Sequence, residues 1–167
     1  MKTWIYRTTL IFCILAVVGF ILYNSTRTGE QSSSISQGVT DKVIEVVVPD
    51  FENFDEPKKE EISFNFHKAI RDYAHAIEFM ALAFFVALLL STFKFQYGRY
   101  SIPLVVTVFA CFIFAMADEI LQGQFTGRGT SVEDVGMDML GVAGGCIVAV
   151  IIDFIGVLIF GRKKRKF

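Results

Sequence analysis

The segment VGMDMLGVAGGCIVAVIIDFIGVLIF (residues 135–160) decides the fold class of this chain. It carries only two charged side chains, Asp138 and Asp153, and it is longer than the roughly 20 residues of helix that cross a bilayer. Three further segments are apolar enough to span in the same way, at residues 8–23, 74–93 and 101–121. The sequence therefore predicts an all-α integral membrane protein with four transmembrane helices, forming a single domain over residues 1–167.

The composition agrees with helices in lipid. Hydrophobic residues make up 53% of the chain, above the roughly 45–50% of a soluble domain, and 18 Phe accompany only 3 Pro. The formal net charge is -1, and we expect no nucleic-acid partner. All three cysteines lie in apolar segments, which suggests neither a disulfide framework nor a thiolate metal site, so we expect no cofactor.

The basic residues of the short flanking segments predict the orientation in the membrane. They fall on one side if the chain crosses four times: Lys2, Arg7, Lys94, Arg99 and the run at 162–166. The positive-inside rule then places both termini in the cytoplasm and residues 24–73 and 122–134 outside. The first segment follows basic residues as a signal peptide does, but no small-x-small cleavage site comes after it, and we interpret it as an uncleaved anchor.

The outer segment at 24–73 has two amphipathic parts. After a Ser-rich piece at 25–36, one series of apolar residues falls at helical spacing and predicts a short surface helix: Ile35, Val39, Val43, Val46 and Val47. Pro49 and Pro57 bracket a predicted loop. Beyond Pro57 a second series shares one helix face and predicts an interfacial helix that leads into the second span: Phe66, Ile70, Tyr73 and Ile77.

Polar residues collect at the predicted outer ends of the spans. On the second span they are spaced i, i+4, i+7 and so share one face: Arg71, His75 and Glu78. The last turn of the third span and the first turns of the fourth carry the rest: Asp118, Glu119, Gln122, Asp134 and Asp138. We expect an inward-facing network between these three spans, because acids at membrane depth need counter-charges, here supplied by Arg71, His75 and Arg128.

Two local features support a close meeting of the helices. Thr130 or Ser131 can cap the fourth span, with Glu133 or Asp134 three residues on completing a capping box. Gly141 and Gly145 form a small-xxx-small step that lets a neighbouring backbone approach. Helix packing alone is the simpler interpretation of the glycines.

These residues also resemble a known family. The segment RDYAHAIEF (residues 71–79) is similar to the R-K-x-A-H-F-x-E-Y element of the VanZ-like family. The segments ADEILQ (117–122), Gly127-Arg128 and DVGMDMLG (134–141) resemble its A-D-E-x-x-Q … G-R … D-v-x-x-N-x-x-G element. One departure adds an acid to the cluster, since Asp138 stands where the family usually has Asn. The resemblance implies a multi-pass protein of the bacterial cell membrane, and the family's name-giving member is associated with resistance to the lipoglycopeptide teicoplanin.

Three classes of function stay open at this point. The first is a cell-envelope protein that binds or modifies an outer-leaflet amphiphile, either a lipid-linked cell-wall intermediate or a lipoglycopeptide. The second is an acid/base hydrolase or transferase acting on an envelope lipid. The third is a structural or accessory membrane protein whose ionisable residues form a buried ion network.

The candidate site residues divide by the chemistry that their side chains can perform. The candidate catalytic residues are those able to exchange protons: His75, Glu78, Asp118 and Glu119. The candidate substrate-binding residues supply charge or amide groups: Arg71, Gln122, Arg128, Asp134 and Asp138. The same acids could serve a hard divalent ion, but one histidine among them is a poor ligand set, and we expect no metal.

Overall fold

The computed structural model describes residues 2–93, 101–125 and 129–160. Within them the chain forms five α-helices, with a short 3-10 turn at Phe51–Asn53: α1 Lys2–Ser25, α2 Gly29–Val47, α3 Glu56–Ser91, α4 Ser101–Gln122 and α5 Val132–Phe160. Four of these helices are long and apolar enough to cross a membrane, over Thr3–Ser25, Glu56–Ser91, Ser101–Gln122 and Val132–Gly156. The predicted all-α fold with four spans is therefore confirmed.

Helix α3 packs against α1, α2, α4 and α5, and its contact with α5 is the most extensive. The reason is the predicted glycine pair on α5. A Cβ at Gly141 would overlap the backbone of Ala76, and one at Gly145 would overlap the carbonyl oxygen of Met80. With no side chain at either position the two backbones touch directly, which is how small residues hold helices together in lipid.

The start of α1 lies at the end of α3. Arg7 donates from Nε to the hydroxyl of Thr92 and from Nη2 to its carbonyl oxygen, both at 2.8 Å. Its guanidinium also sits 4.1 Å from the centroid of the Phe93 ring. The opposite end of α1 meets the end of α4, so neighbouring spans alternate in direction as four crossings require. The assignment of one face to the cytoplasm stays a prediction, and the basic residues at 94, 99 and 162–166 lie outside the described residues.

Helix α2 confirms the predicted surface helix but begins earlier and buries a different face. Thr28 and Gln31 form a capping box, so the serines at 32–34 and 36 lie inside the helix and not in a leading loop. Thr40 and Ile44 are buried, whereas Val39, Val46 and Val47 are exposed. The buried face also carries Ser36, whose hydroxyl lies 3.3 Å from Nε2 of His67 on α3.

Helix α3 is one uninterrupted helix of 36 residues, with Asp55 at its N-cap and Pro57 in its first turn. The predicted interfacial helix and the second span are thus parts of a single element. At about 1.5 Å per residue such a helix is nearly twice as long as a hydrocarbon core of about 30 Å is thick. Its first turns therefore extend past the apolar layer, with α2 packed beside them.

Candidate functional site

The end of α1 is joined to the end of α4 by a buried group of polar side chains. The hydroxyl of Ser25 donates to Oδ1 of Asp118, at 2.5 Å. The amide of Gln122, one turn further along α4, donates to Oδ2 of the same carboxylate at 2.7 Å and lies 3.5 Å from the Ser25 hydroxyl. Asp118 is only 1% exposed, and both of its oxygens accept a hydrogen bond inside the protein.

The next residue on α4 reaches the start of α5. Oε1 of Glu119 accepts a hydrogen bond from the backbone N–H of Ser131, at 2.6 Å. The hydroxyl of Ser131 in turn accepts from the backbone N–H of Asp134, at 3.3 Å, so Ser131 is the residue that caps α5. In a standard capping box the acid at the third helical position would bind the cap N–H. Here an acid from a different helix takes that place.

Because Glu119 accepts the N–H of Ser131, the carboxylate of Asp134 makes a different contact. Its Oδ2 lies 3.1 Å from Nη2 of Arg71, which ties the start of α5 to α3. Beside it Lys68 pairs with Glu133 at 3.4 Å, in a more exposed position. These two ion pairs lie at one end of the α3–α5 contact. The close approach of the two backbones at Gly141 and Gly145 lies further along both helices.

Asp138 lies one turn deeper on α5 and is 3% exposed. Its Oδ1 is buried and has no hydrogen-bond partner among the residues that the structure describes. Four other acids are close enough to act on it electrostatically: Asp118, Glu119, Asp134 and Glu78. Asp138 thus lies near acidic side chains from three helices.

A cleft of about 180 Å³ opens between α3, α2 and the end of α1. Its polar lining residues come from all three helices and from the link between α1 and α2: Asn24, Arg27, Ser32, Ser36, Arg71, His75 and Glu78. Its apolar lining consists of Val39, Ile70 and Ala74. Inside it the amide of Asn24 donates to Oε1 of Glu78, at 2.7 Å.

The structure brings the predicted site residues together in two connected groups. Arg71, His75 and Glu78 line the cleft, and the second group fills the junction of α1, α4 and α5: Asp118, Glu119, Gln122, Asp134 and Asp138. Arg71 joins the groups through Asp134. Arg128, the remaining predicted residue, lies outside the described residues.

The sequence prediction missed the partners supplied from outside the three motif segments. They are Asn24, Ser25, Arg27 and Ser36. Their signals in the sequence were their place after the first apolar segment and, for Ser25 and Ser36, the Ser-rich piece at 25–36. Among the described residues no group of three or more His, Cys, Asp or Glu side chains is arranged to hold a metal ion.

The fold and this junction define a class: a four-span helical membrane protein with a buried polar network at one end of its bundle. The sequence model of the VanZ/LLP1 family matches residues 10–159, which is most of the chain. The chain therefore belongs to the VanZ/LLP1 family. No curated protein and no solved structure matches it.

Proposed function

We propose that this protein, acting as a single domain of the bacterial cell membrane, binds an outer-leaflet amphiphile in the cleft between α2 and α3. The observation that carries the proposal is the mixed lining of the cleft. Val39, Ile70 and Ala74 are apolar, and the other lining residues have charged, imidazole, amide or hydroxyl side chains. A ligand with an acyl chain and a polar headgroup suits both kinds of lining.

The position of the cleft supports the same class of ligand. It is lined by Ala74, His75 and Glu78, near the start of the second span that the sequence predicts at residues 74–93. We therefore expect a molecule held there to have its headgroup at the membrane surface and its tail at the depth of the lipid chains. A lipid-linked cell-wall intermediate and the acylated part of a lipoglycopeptide both have this form, and binding of either would connect the family to teicoplanin resistance.

The test is to fill the cleft. Ala74 is exposed and lines it, so Ala74→Trp would place an indole where the ligand lies. Ala110→Trp is the matched control, since Ala110 is an equally exposed alanine in the middle of α4 and away from the cleft. We expect the wild type and Ala110→Trp to retain a bound amphiphile in native mass spectrometry, and Ala74→Trp to lose it.

The susceptibility of whole cells tests the link to teicoplanin. In a strain whose teicoplanin resistance depends on this protein, Ala74→Trp should restore susceptibility while Ala110→Trp should not. Equal amphiphile binding and equal susceptibility in the two variants would refute the proposal.

One observation favours an enzyme as the second candidate. His75 and Glu78 both line the cleft, so a bound ligand lies beside a possible general base and a carboxylate that accepts from Asn24. An acid/base hydrolase or transferase would convert a lipid-linked cell-wall intermediate in proteoliposomes, and His75→Gln would abolish turnover while leaving binding intact. Absence of turnover in wild-type protein that retains the ligand would exclude this candidate.

A structural role suits the residues of α4. Asp118 and Gln122 bond to each other and to Ser25, and Glu119 bonds to the cap of α5. Since these hydrogen bonds join the end of α4 to the end of α1 and to the start of α5, we propose that the three residues hold the helix ends that shape the cleft. Asp118→Asn and Glu119→Gln should then lower thermal stability and leave the affinity for the amphiphile in the folded fraction unchanged.

A further inference from the structure

We infer that Arg27 binds the phosphate group of the ligand's headgroup, so that the cleft selects an anionic amphiphile over an uncharged one. This inference rests on the proposed function, because it assigns a chemical class to the ligand of the same cleft. Arg27 belongs to no motif of the chain, and it enters the cleft from the short link between α1 and α2.

Arg27 differs from the other arginine of the cleft in what its guanidinium contacts. Arg71 is committed to Asp134, at 3.1 Å. Arg27 instead sits 4.6 Å from the centroid of the Tyr23 ring, and no carboxylate pairs with it in the described part of the chain. Among the described residues, Arg27 is therefore a cation of the cleft whose charge no neighbouring acid neutralises.

The contact with Tyr23 holds this cation in place without using an anion. A ring attracts a guanidinium through its face and neutralises none of its charge. The planar fork of N–H groups matches two oxygens of a phosphate, and such charge-assisted pairs are stronger than neutral hydrogen bonds. Tyr23 thus positions Arg27 for an incoming anion.

The other polar residues of the cleft determine the orientation of the bound ligand. Glu78 repels an anion, so the phosphate belongs near Arg27 and Arg71 and not near Glu78. Hydroxyl or ammonium groups of the headgroup suit the carboxylate of Glu78. The layout fits a headgroup that joins a phosphate to a donor-bearing group, as glycerol and sugar phosphates do.

The experiment compares a lipid that carries a phosphate headgroup with one that carries none. Wild-type protein in a non-ionic detergent without phosphate groups is titrated with short-chain phosphatidylglycerol, with diacylglycerol of the same chain length and with inorganic phosphate. We expect phosphatidylglycerol to bind more tightly than diacylglycerol, and its affinity to fall at high salt because a charge pair partly open to water is screened. Equal affinity of wild-type protein for the two lipids would overturn the inference. Displacement of phosphatidylglycerol by inorganic phosphate of equal affinity would assign the site to free phosphate and overturn the lipid assignment.

The variants isolate the charge of Arg27. Arg27→Gln should weaken phosphatidylglycerol about tenfold and leave diacylglycerol unchanged. Arg27→Lys should restore part of the loss, because the charge remains but the planar fork does not. Lys42→Gln is the matched control, since it removes one exposed positive charge from α2 outside the cleft, and it should change neither ligand.

The supporting ring has its own pair of variants. Tyr23→Phe keeps the ring and should bind phosphatidylglycerol as the wild type does, whereas Tyr23→Leu should weaken it. Unchanged phosphatidylglycerol affinity in Arg27→Gln would overturn the inference. If Ala74→Trp then still blocks both ligands, the proposed amphiphile site stands without it, so the two failures are distinguishable.

Discussion

Glu119 on α4 accepts the backbone N–H of Ser131, at 2.6 Å, and so caps the first turn of α5 from a different helix. This single contact couples the end of one span to the start of the next, across the connection at 123–131. It also explains why Asp134, which the capping-box pattern would use locally, is available to pair with Arg71.

The first prediction follows from this cap. Glu119→Ala removes the acceptor of the Ser131 N–H, and we expect a loss of about 1–2 kcal/mol in stability, as for other lost helix caps. Glu119→Gln retains a carbonyl oxygen at the same reach and should lose less. Thermal unfolding of the purified protein in one detergent measures both, and equal unfolding temperatures for wild type and Glu119→Ala would contradict the role of this contact.

The second prediction concerns Asp138. Its Oδ1 is buried without a hydrogen-bond partner in the described residues, and four acids lie near the side chain. Asp138→Asn removes its charge at nearly the same volume, and the VanZ-like pattern has Asn at this position. We expect a gain of about 1 kcal/mol or more in stability, because the amide carries no negative charge near the other acids and its NH2 group can donate a hydrogen bond to one of them.

Asp134→Asn is the control for this gain, one turn away on the same helix. It breaks the ion pair with Arg71, which is partly open to solvent, and it should cost up to about 1 kcal/mol. Opposite signs for the two Asp→Asn changes are the expected result. A loss of stability in both would mean that Asp138 forms a favourable interaction in the folded protein.

The third prediction tests the contact between α3 and α5. Gly141→Ala places a Cβ against the backbone of Ala76, where no flexible side chain can move aside, and we expect a cost of at least about 1–3 kcal/mol. Gly136→Ala on the same helix meets nothing within 4 Å and should be neutral or slightly favourable. Size-exclusion chromatography measures the folded fraction of both variants. A Gly141→Ala protein as well folded as Gly136→Ala would show that α3 and α5 can move apart without loss of stability.

The sequence predicted the spans well because hydropathy reports contact with lipid. All four apolar segments form helices, and the helices do pack closely at Gly141 and Gly145. The close packing was predictable because two glycines one turn apart leave room for any neighbouring helix. The sequence did not show that this neighbour is α3. Apolar residues that face lipid and those that face another helix are the same residue types in a membrane.

Because the sequence does not show which helix packs against which, the buried face of α2 was predicted wrongly. Val39, Val46 and Val47 marked the apolar face in the sequence, yet these three are exposed, whereas Thr40 and Ile44 are buried. The contact of α2 with α3 includes the polar pair Ser36 and His67, so the apolar stripe alone did not identify the face that packs against α3. Ser25 was likewise unremarkable in sequence, because its importance comes from Asp118, which lies 93 positions further along the chain.

The last prediction decides which face of the membrane the cleft opens to. After Cys13, Cys111 and Cys146 are replaced, a single cysteine at Lys42 on exposed α2 should react with an impermeant maleimide in intact cells. A single cysteine at Lys164, in the basic run at 162–166, should react only after the cells are opened, because that run is expected in the cytoplasm. Labelling of the Lys164 position from outside would invert the orientation and place the cleft at the inner leaflet, where neither a lipoglycopeptide nor an outward-facing cell-wall intermediate could reach it.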